Sequence, residues 1–328
     1  MTTYIIRRLL LMIPTMLGIT VMVFAISRLA PGDPVTMMMG PESGLDARQA
    51  DIREAQMKLY GLDKPLPVQY FIWLGKVARL DFGVSFKHHR PVIELIEERL
   101  PITLVLNLAA FVIIYLISLP LGVISAVKHR GFADNITSVV LFVLWSLPVM
   151  WVGQMMIGYL CNPQYVNWFP SAGISSNTAA TMPFLPWLLD RAHHLVLPVV
   201  CITYGGFAML TKIVRAGMLD NLRMDYVRTA RAKGLSEFSV VIEHAFRNSV
   251  IPVITIMATL LPAMIGGSVI IEKVFTIPGM GLLAFEAIST RDYNIVMAVT
   301  TIAGVLNMIG MLLADIAYAI VDPRITFD

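Results

Sequence analysis

Few side chains in this sequence have the types and spacing for chemistry. The histidines include two adjacent pairs, His88-His89 and His193-His194. Metal binding is the first chemistry such pairs suggest. Adjacent residues point apart on a helix, however, and no Cys or carboxylate cluster with ligand spacing accompanies them, so solvated or interfacial histidines are the better reading and no metal site is expected. Cys161 and Cys201 lie in or near apolar runs and read as two free buried thiols. Asp315 stands alone among apolar residues, with no acidic or histidine partner in its run. It reads as a salt bridge to Lys212 or Arg215, or as a cap, before a proton relay. No G-x-x-x-x-G-K-S/T phosphate loop is present, so ATP binding of the usual kind is not expected in this chain. Neither H-E-x-x-H nor G-x-S-x-G occurs, and no catalytic residues are assigned.

What remains is chemistry of recognition. A basic segment runs Asp225-Tyr-Val-Arg-Thr-Ala-Arg-Ala-Lys-Gly-Leu235 and continues through Ser236 to Pro252. It predicts a helix over Asp225–Lys233, a break at Gly234 where a Cβ would be strained, and a second helix capped by Ser236. Tyr226 and Ala230 fall at i,i+4 on one side, with Arg228, Arg231 and Lys233 elsewhere. Such a helix can set small apolar contacts in a partner's groove and basic residues on its rim.

The elements that hold this segment are apolar. Of 328 residues 57% are hydrophobic and 14% charged, where a soluble domain carries about 25% charged. The apolar surface therefore has to face lipid, and the net charge of +3 is too small to argue for nucleic acid. A spanning helix needs about 20 apolar residues. Uncharged runs of that order occur at Leu9–Ser27, Ile102–Val127, Ile136–Leu160, Leu195–Thr211, Ser249–Ile271 and Ile295–Ala314. The expectation is an all-α integral membrane protein with six transmembrane helices. Pro14, Pro120, Pro148, Pro198 and Pro262 fall inside runs, as membrane helices tolerate. The first run follows Arg7-Arg8 but is longer than the core of a signal peptide and reads as a retained span.

Lys and Arg in the short loops set orientation. Arg7, Arg8, Lys128, Arg130, the seven cations from Lys212 to Arg247, and Arg324 fall on one side if the spans alternate. Both termini and the basic segment are therefore expected in the cytoplasm. The first outer loop, Ala30–Arg99, reads as helical over Asp46–Tyr60 and Val68–Leu80, with Pro91–Leu100 an amphipathic lead-in to the second span. The domain organisation expected is 1–29 (first span), 30–100 (outer helical loop) and 101–328 (core), the basic segment occupying 212–248.

At this point the residues resemble a family. Arg228-Thr-Ala-Arg-Ala-Lys-Gly234 followed by Ile251-Pro252 resembles the "EAA" segment of ABC importer permeases, and more closely their dipeptide, oligopeptide and nickel branch. Tyr4-Ile-Ile-Arg-Arg8, Ala30-Pro-Gly-Asp-Pro34, Leu80-Asp-Phe-Gly-Val-Ser85, Glu272-Lys-Val-Phe-Thr-Ile-Pro-Gly-Met-Gly281, Arg291-Asp-Tyr293 and Val321-Asp-Pro-Arg-Ile325 are similar to the same branch. The leading Glu-Ala of the generic pattern reads Arg228-Thr229 here, and the gap from Gly234 to Pro252 is longer.

The resemblance implies a type I ABC importer permease fold with a small periplasmic helical cap, in a bacterial inner membrane. It implies as partners a homologous second permease, two ATPase subunits that carry the ATP and Mg, an extracytoplasmic substrate-binding protein, and lipid. This chain itself would hold no cofactor and catalyse no reaction. Coupling to the ATPases would fall to Tyr226, Arg228, Thr229, Ala230, Ala232, Lys233, Gly234 and Leu235. The turn Pro278-Gly-Met-Gly281 would give an outer gate or a binding-protein contact through Pro278, Gly279 and Gly281, against a plain connecting turn. Asn107 and Asn307 line a path or bond between helices. Peptides are the expected cargo, with nickel chelates or glutathione the alternative within the branch, and an ATP-independent secondary transporter the alternative outside it.

Overall fold

The computed structural model describes residues 2–29, 64–254, 256–257 and 266–321. Among these, the regular structure is helical, with one isolated bridge between Val84 and Pro91 and no strand. The expected helix Asp46–Tyr60, the Ala30–Pro34 motif and all but the first residue of the Val321–Ile325 motif lie outside the described residues.

Two compact units form. The first comprises residues 1–100 with 283–309, the second 101–282 with 310–328. Residues 283–309, grouped by sequence with the core segment, thus cluster with the first hundred.

In the first unit α1 (Thr2–Leu29) is a long apolar helix of span length. Against it packs α2 (Leu66–Val77), which opens behind Pro65 with a second proline in its first turn, where the missing N–H has no intrahelical partner to lose. Thr20 and Tyr70 share a hydrogen bond of 2.9 Å, and the Phe24 and Tyr70 rings meet edge to face at 5.6 Å. The loop after α2 closes on Asp292. That buried carboxylate accepts from the Ser85 hydroxyl at 2.6 Å and the Lys87 N–H at 3.2 Å. The motifs Leu80–Ser85 and Arg291–Tyr293, 207 residues apart at the bonded pair, therefore meet.

In the second unit lie α3 (Val92–Val127) from Pro101 onward, α4 (Phe132–Ser146), α5 (Val149–Leu160) and α6 (Phe184–Leu222). Helix α3 is continuous from Val92, so the expected lead-in is its first turns rather than a separate piece. The expected third span is not one straight helix: α4 and α5 meet at 90°. Leu147 precedes Pro148 and is held extended at φ −81°, ψ 124°, as a pre-proline residue prefers. The carbonyl freed there is met by the Tyr204 hydroxyl at 2.9 Å. Helix α6 is 39 residues long, extending the expected fourth span at both ends. The expected fifth span is helical at 251–254 and 256–257, and residues 258–265 lie outside the described set. Helix α8 (Val269–Val274) belongs to the second unit, whereas most of α9 (Met280–Ser289) and of the last run, α10 (Tyr293–Val321), falls in the first. Among the described residues four helices are long and apolar enough to cross a membrane, five if the bent pair is one span.

The Glu272 motif folds on its own carboxylate. Glu272 is fully buried and accepts from the Leu282 N–H at 2.7 Å and the Thr103 hydroxyl at 3.2 Å. The Thr103 oxygen in turn accepts from the Met280 N–H at 2.8 Å. A Cβ on Gly279 would overlap the carboxyl group itself, which explains glycine at that position. Burial pushes the Glu272 carboxyl above its usual range, against hydrogen bonds that pull it down.

Replacing Glu272 by Ala leaves the Leu282 N–H and Thr103 hydroxyl without their acceptor, with an expected cost of about 3 kcal/mol. Glu272→Gln keeps the shape, with an expected cost of about half that. Because the folded-state pKa is raised, wild type gains stability below the unfolded value of 4.5 and loses it as pH rises through the folded value. The gap to Glu272→Gln, which does not ionise, should narrow as pH rises from that point. Thermal unfolding of detergent-solubilised variants between acid and neutral pH reads both effects.

Candidate functional site

The basic segment forms a hairpin of two helical arms. The first arm is α7 (Asp225–Ala232), with Asp225 in its first turn and Arg231 in its last, both favourable to the helix dipole. Lys233 is its C-cap. Gly234 takes φ +78°, and the two N–H groups beyond the cap turn back onto the helix: Gly234 N–H to the Arg231 carbonyl at 3.0 Å, Leu235 N–H to the Ala230 carbonyl at 3.4 Å. This is a Schellman stop, and it is why glycine stands there. Ser236 caps the second arm by accepting from the Ser239 N–H at 3.3 Å. That arm runs Glu237–Ser239, then a seven-residue π-helix Val240–Phe246, then Arg247–Ser249.

The arms close on a buried apolar seam. Val227, Ala230, Val240, Val241 and Ala245 pack together with Val214 and Met218 of α6. Arg231 clasps Glu237 across the turn at 2.9 Å. On the outer side Tyr226 donates to Asn221 at 2.6 Å, and the Thr229 hydroxyl donates to the Asp225 carbonyl at 2.9 Å.

The residues assigned from sequence divide on burial. Tyr226, Arg228, Thr229, Ala232, Lys233, Gly234 and Leu235 are exposed. Ala230 is not: it is 4% exposed and packs inside the seam, so it holds the hairpin together and offers no outward contact. Its neighbour Val227, which the sequence reading passed over, is fully buried beside it. The outward apolar residues include three others that reading missed: Met224, Phe238 at 77% exposure, and Ile242. With Tyr226 and Leu235 they give the knob an apolar surface among cations. The available signal was an aromatic residue in a polar arm, off the inward positions of Val240, Val241 and Ala245.

The hairpin's base is anchored. Ser249 lies against Gly217 of α6, where a Cβ would come 3.0 Å from the Ser249 carbonyl oxygen. Nearby, the Arg215 guanidinium of α6 forks onto Asp134 of α4, with Nε and Nη2 each at 2.7 Å. Arg215, a candidate partner for Asp315, is thus committed to Asp134.

The other assigned positions are elsewhere. Gly279 and Gly281 are buried around Glu272, and Pro278 alone of the three keeps partial exposure. His193 bonds the Trp168 carbonyl through Nε2 at 2.8 Å, and His194 bonds the Asp190 carbonyl through Nδ1 at 2.8 Å. Among the described residues no group of three His, Cys, Asp or Glu is arranged to hold a metal ion. Cys161 and Cys201 are free thiols.

Comparison with known proteins identifies the class. The family model described as binding-protein-dependent transport system inner membrane component matches residues 118–327, and the model of the N-terminal part of such membrane components matches residues 1–107. The chain is 44% identical over 329 residues to the oligopeptide transport system permease protein AppB of Bacillus subtilis (strain 168), with 100% of both chains covered. It is 33% identical over 362 residues to the inner membrane ABC transporter permease protein YejB of Escherichia coli O157:H7, again with 100% of both covered. The fold is that of an all-helical, multi-pass membrane permease. The chain belongs to the family of inner membrane components of binding-protein-dependent transport systems.

Stability should separate the hairpin's inside from its outside. Ala230→Leu overpacks the seam, with an expected cost of about 2 kcal/mol. Gly234→Ala meets open space and pays only for its positive φ, about 1 kcal/mol. Phe238→Ser should stay within about 0.5 kcal/mol. Thermal unfolding of the three variants checks the order.

Proposed function

We propose that this chain is one half of the pore of an ATP-driven peptide importer, and that the hairpin 225–249 takes the stroke of separate ATPase subunits. The observation that carries this reading is the hairpin itself: a locked helical knob with an exposed apolar and basic outer surface, built directly onto the end of a 39-residue helix. A plain basic loop obeying the positive-inside rule has no need of a Schellman stop, a buried seam and an anchored base. Peptide cargo is supported by the oligopeptide permease that matches the chain end to end.

In this reading the partners are a homologous second permease, two ATPases that bind ATP and Mg, and an extracytoplasmic binding protein that supplies most of the selectivity. The termini and the hairpin face the cytoplasm of a bacterial inner membrane. Tyr226, Arg228, Thr229, Ala232, Lys233, Gly234 and Leu235 meet the ATPase, joined by Met224, Phe238 and Ile242. Ala230 acts from beneath them. Closure of the ATPases displaces the knob, and the shaft of α6 shifts between two packings, giving alternating access. Pro278 lies on the outer side as a gate or binding-protein contact.

The test is ATPase activity of the assembled complex in nanodiscs, with binding protein and radiolabelled tri- and penta-alanine. Phe238→Ser/Tyr226→Ala is expected to assemble more weakly, with binding-protein-stimulated hydrolysis down by about fivefold or more, the low end of typical site-to-site coupling. Transport that persists without ATP, or a double variant that hydrolyses as wild type does, refutes the reading.

A further inference from the structure

Helix α4 is tied to α6 at both of its ends. At its start, Asp134 is buried with 4% of its side chain exposed, and each of its two carboxylate oxygens accepts two hydrogen bonds. Its carboxylate takes both forks of Arg215, the Ser125 hydroxyl, and the Arg130 N–H at 2.9 Å. His129 Nδ1 stands beside the pair, 3.1 Å from Arg215 Nη2 and 3.5 Å from Asp134 Oδ2. At the far end the Leu147 carbonyl takes the Tyr204 hydroxyl at 2.9 Å. The two attachments are 11 positions apart along α6 and 13 along α4, about 16 Å and about 20 Å of helix. Helix α3 also lies close on α6, where a Cβ on Gly122 would stand 2.7 Å from Val214 and 3.0 Å from the Thr211 carbonyl oxygen.

We propose that α4 is a strut fastened to α6 at Asp134–Arg215 and at Leu147–Tyr204, so that displacement of the hairpin moves the bent span α4–α5 together with α6. Asp134, Arg215 and Tyr204 are positioning residues for transport: none is required to touch cargo or ATPase. A strut needs both fastenings. With one end free, α6 slides past α4 and the bend at Pro148 stays where it is.

This rests on the coupling role of the hairpin. The experiment uses the full complex in proteoliposomes with binding protein and radiolabelled tri-alanine, and reads peptide imported per ATP hydrolysed. The variants are Arg215→Lys, which keeps the charge and loses the fork, Tyr204→Phe, which loses only a hydroxyl, and the two combined. Each single variant should lower import per ATP by about fivefold or more. The double should be no worse than the poorer single, because a strut freed at one end is already idle. Its losses in melting temperature, by contrast, should add, as separate sites do.

Reconnection supplies the second arm. Asp134→Cys/Arg215→Cys bridged by a short bifunctional thiol reagent should regain import per ATP, and reducing the bridge should remove it. Wild-type coupling in assembled Arg215→Lys or Tyr204→Phe overturns the proposal. So do coupling losses that simply add, and a formed bridge that restores nothing. Wild-type hydrolysis that ignores both peptide and binding protein would instead overturn the importer reading.

Discussion

A carboxylate removed from water must be met by donors on every side, and the second unit is arranged around two of them. Asp134 collects α3, α4 and α6 at one place; Glu272 collects α3, α8 and the start of α9 at another. Moving a charged group into a low-dielectric interior costs several kcal/mol unless geometry and hydrogen bonds compensate it. That requirement fixes the surrounding backbone more tightly than apolar packing does, because hydrocarbon contacts between helices have little driving force in lipid. Glycine at 279 and 267 and a hydroxyl at 103 follow from it: each leaves room for the Glu272 carboxylate or supplies it with a donor.

The hairpin shows a different economy. It is a short soluble-style fold, held by an apolar seam, a glycine stop and one ion pair across the turn. Its inner residues are small and branched, so the arms approach closely. Its outer residues include large side chains such as Met224, Phe238 and Ile242 that face outward. The division leaves the surface free to be selected for contact without disturbing the seam, and it explains why a small residue such as Ala230 sits in the middle of a motif without being on its surface.

Much of this was legible in sequence. The first four apolar runs and the last coincide with span-length helices or the bent pair, because the bilayer demands backbone self-satisfaction over a fixed length. Gly234 and Ser236 marked the turn because only a few residue types fill those positions. What periodicity could not supply was direction: Tyr226 and Ala230 share a helix side, yet one is exposed and the other buried, a distinction made by the second arm lying over the first. Pro148 announced a kink but not its size. No local pattern marks Asp134, whose partner is 81 residues away. The pairing of Ser85 with Asp292 was likewise hidden, although both motifs had been noted, since a single sequence carries no record of long-range contact.

The right angle between α4 and α5 has a consequence for the lipid. Helices of 15 and 12 residues rise about 22 Å and about 18 Å, each less than the hydrocarbon thickness of about 30 Å. Set at 90°, the two cannot both run along the bilayer normal. Where this bent pair faces lipid it offers a short hydrophobic wall, which a bilayer meets by thinning or by admitting headgroups. Acyl-chain length thereby becomes a variable of the protein's own energy, and a thicker bilayer weighs against whichever packing keeps the bend.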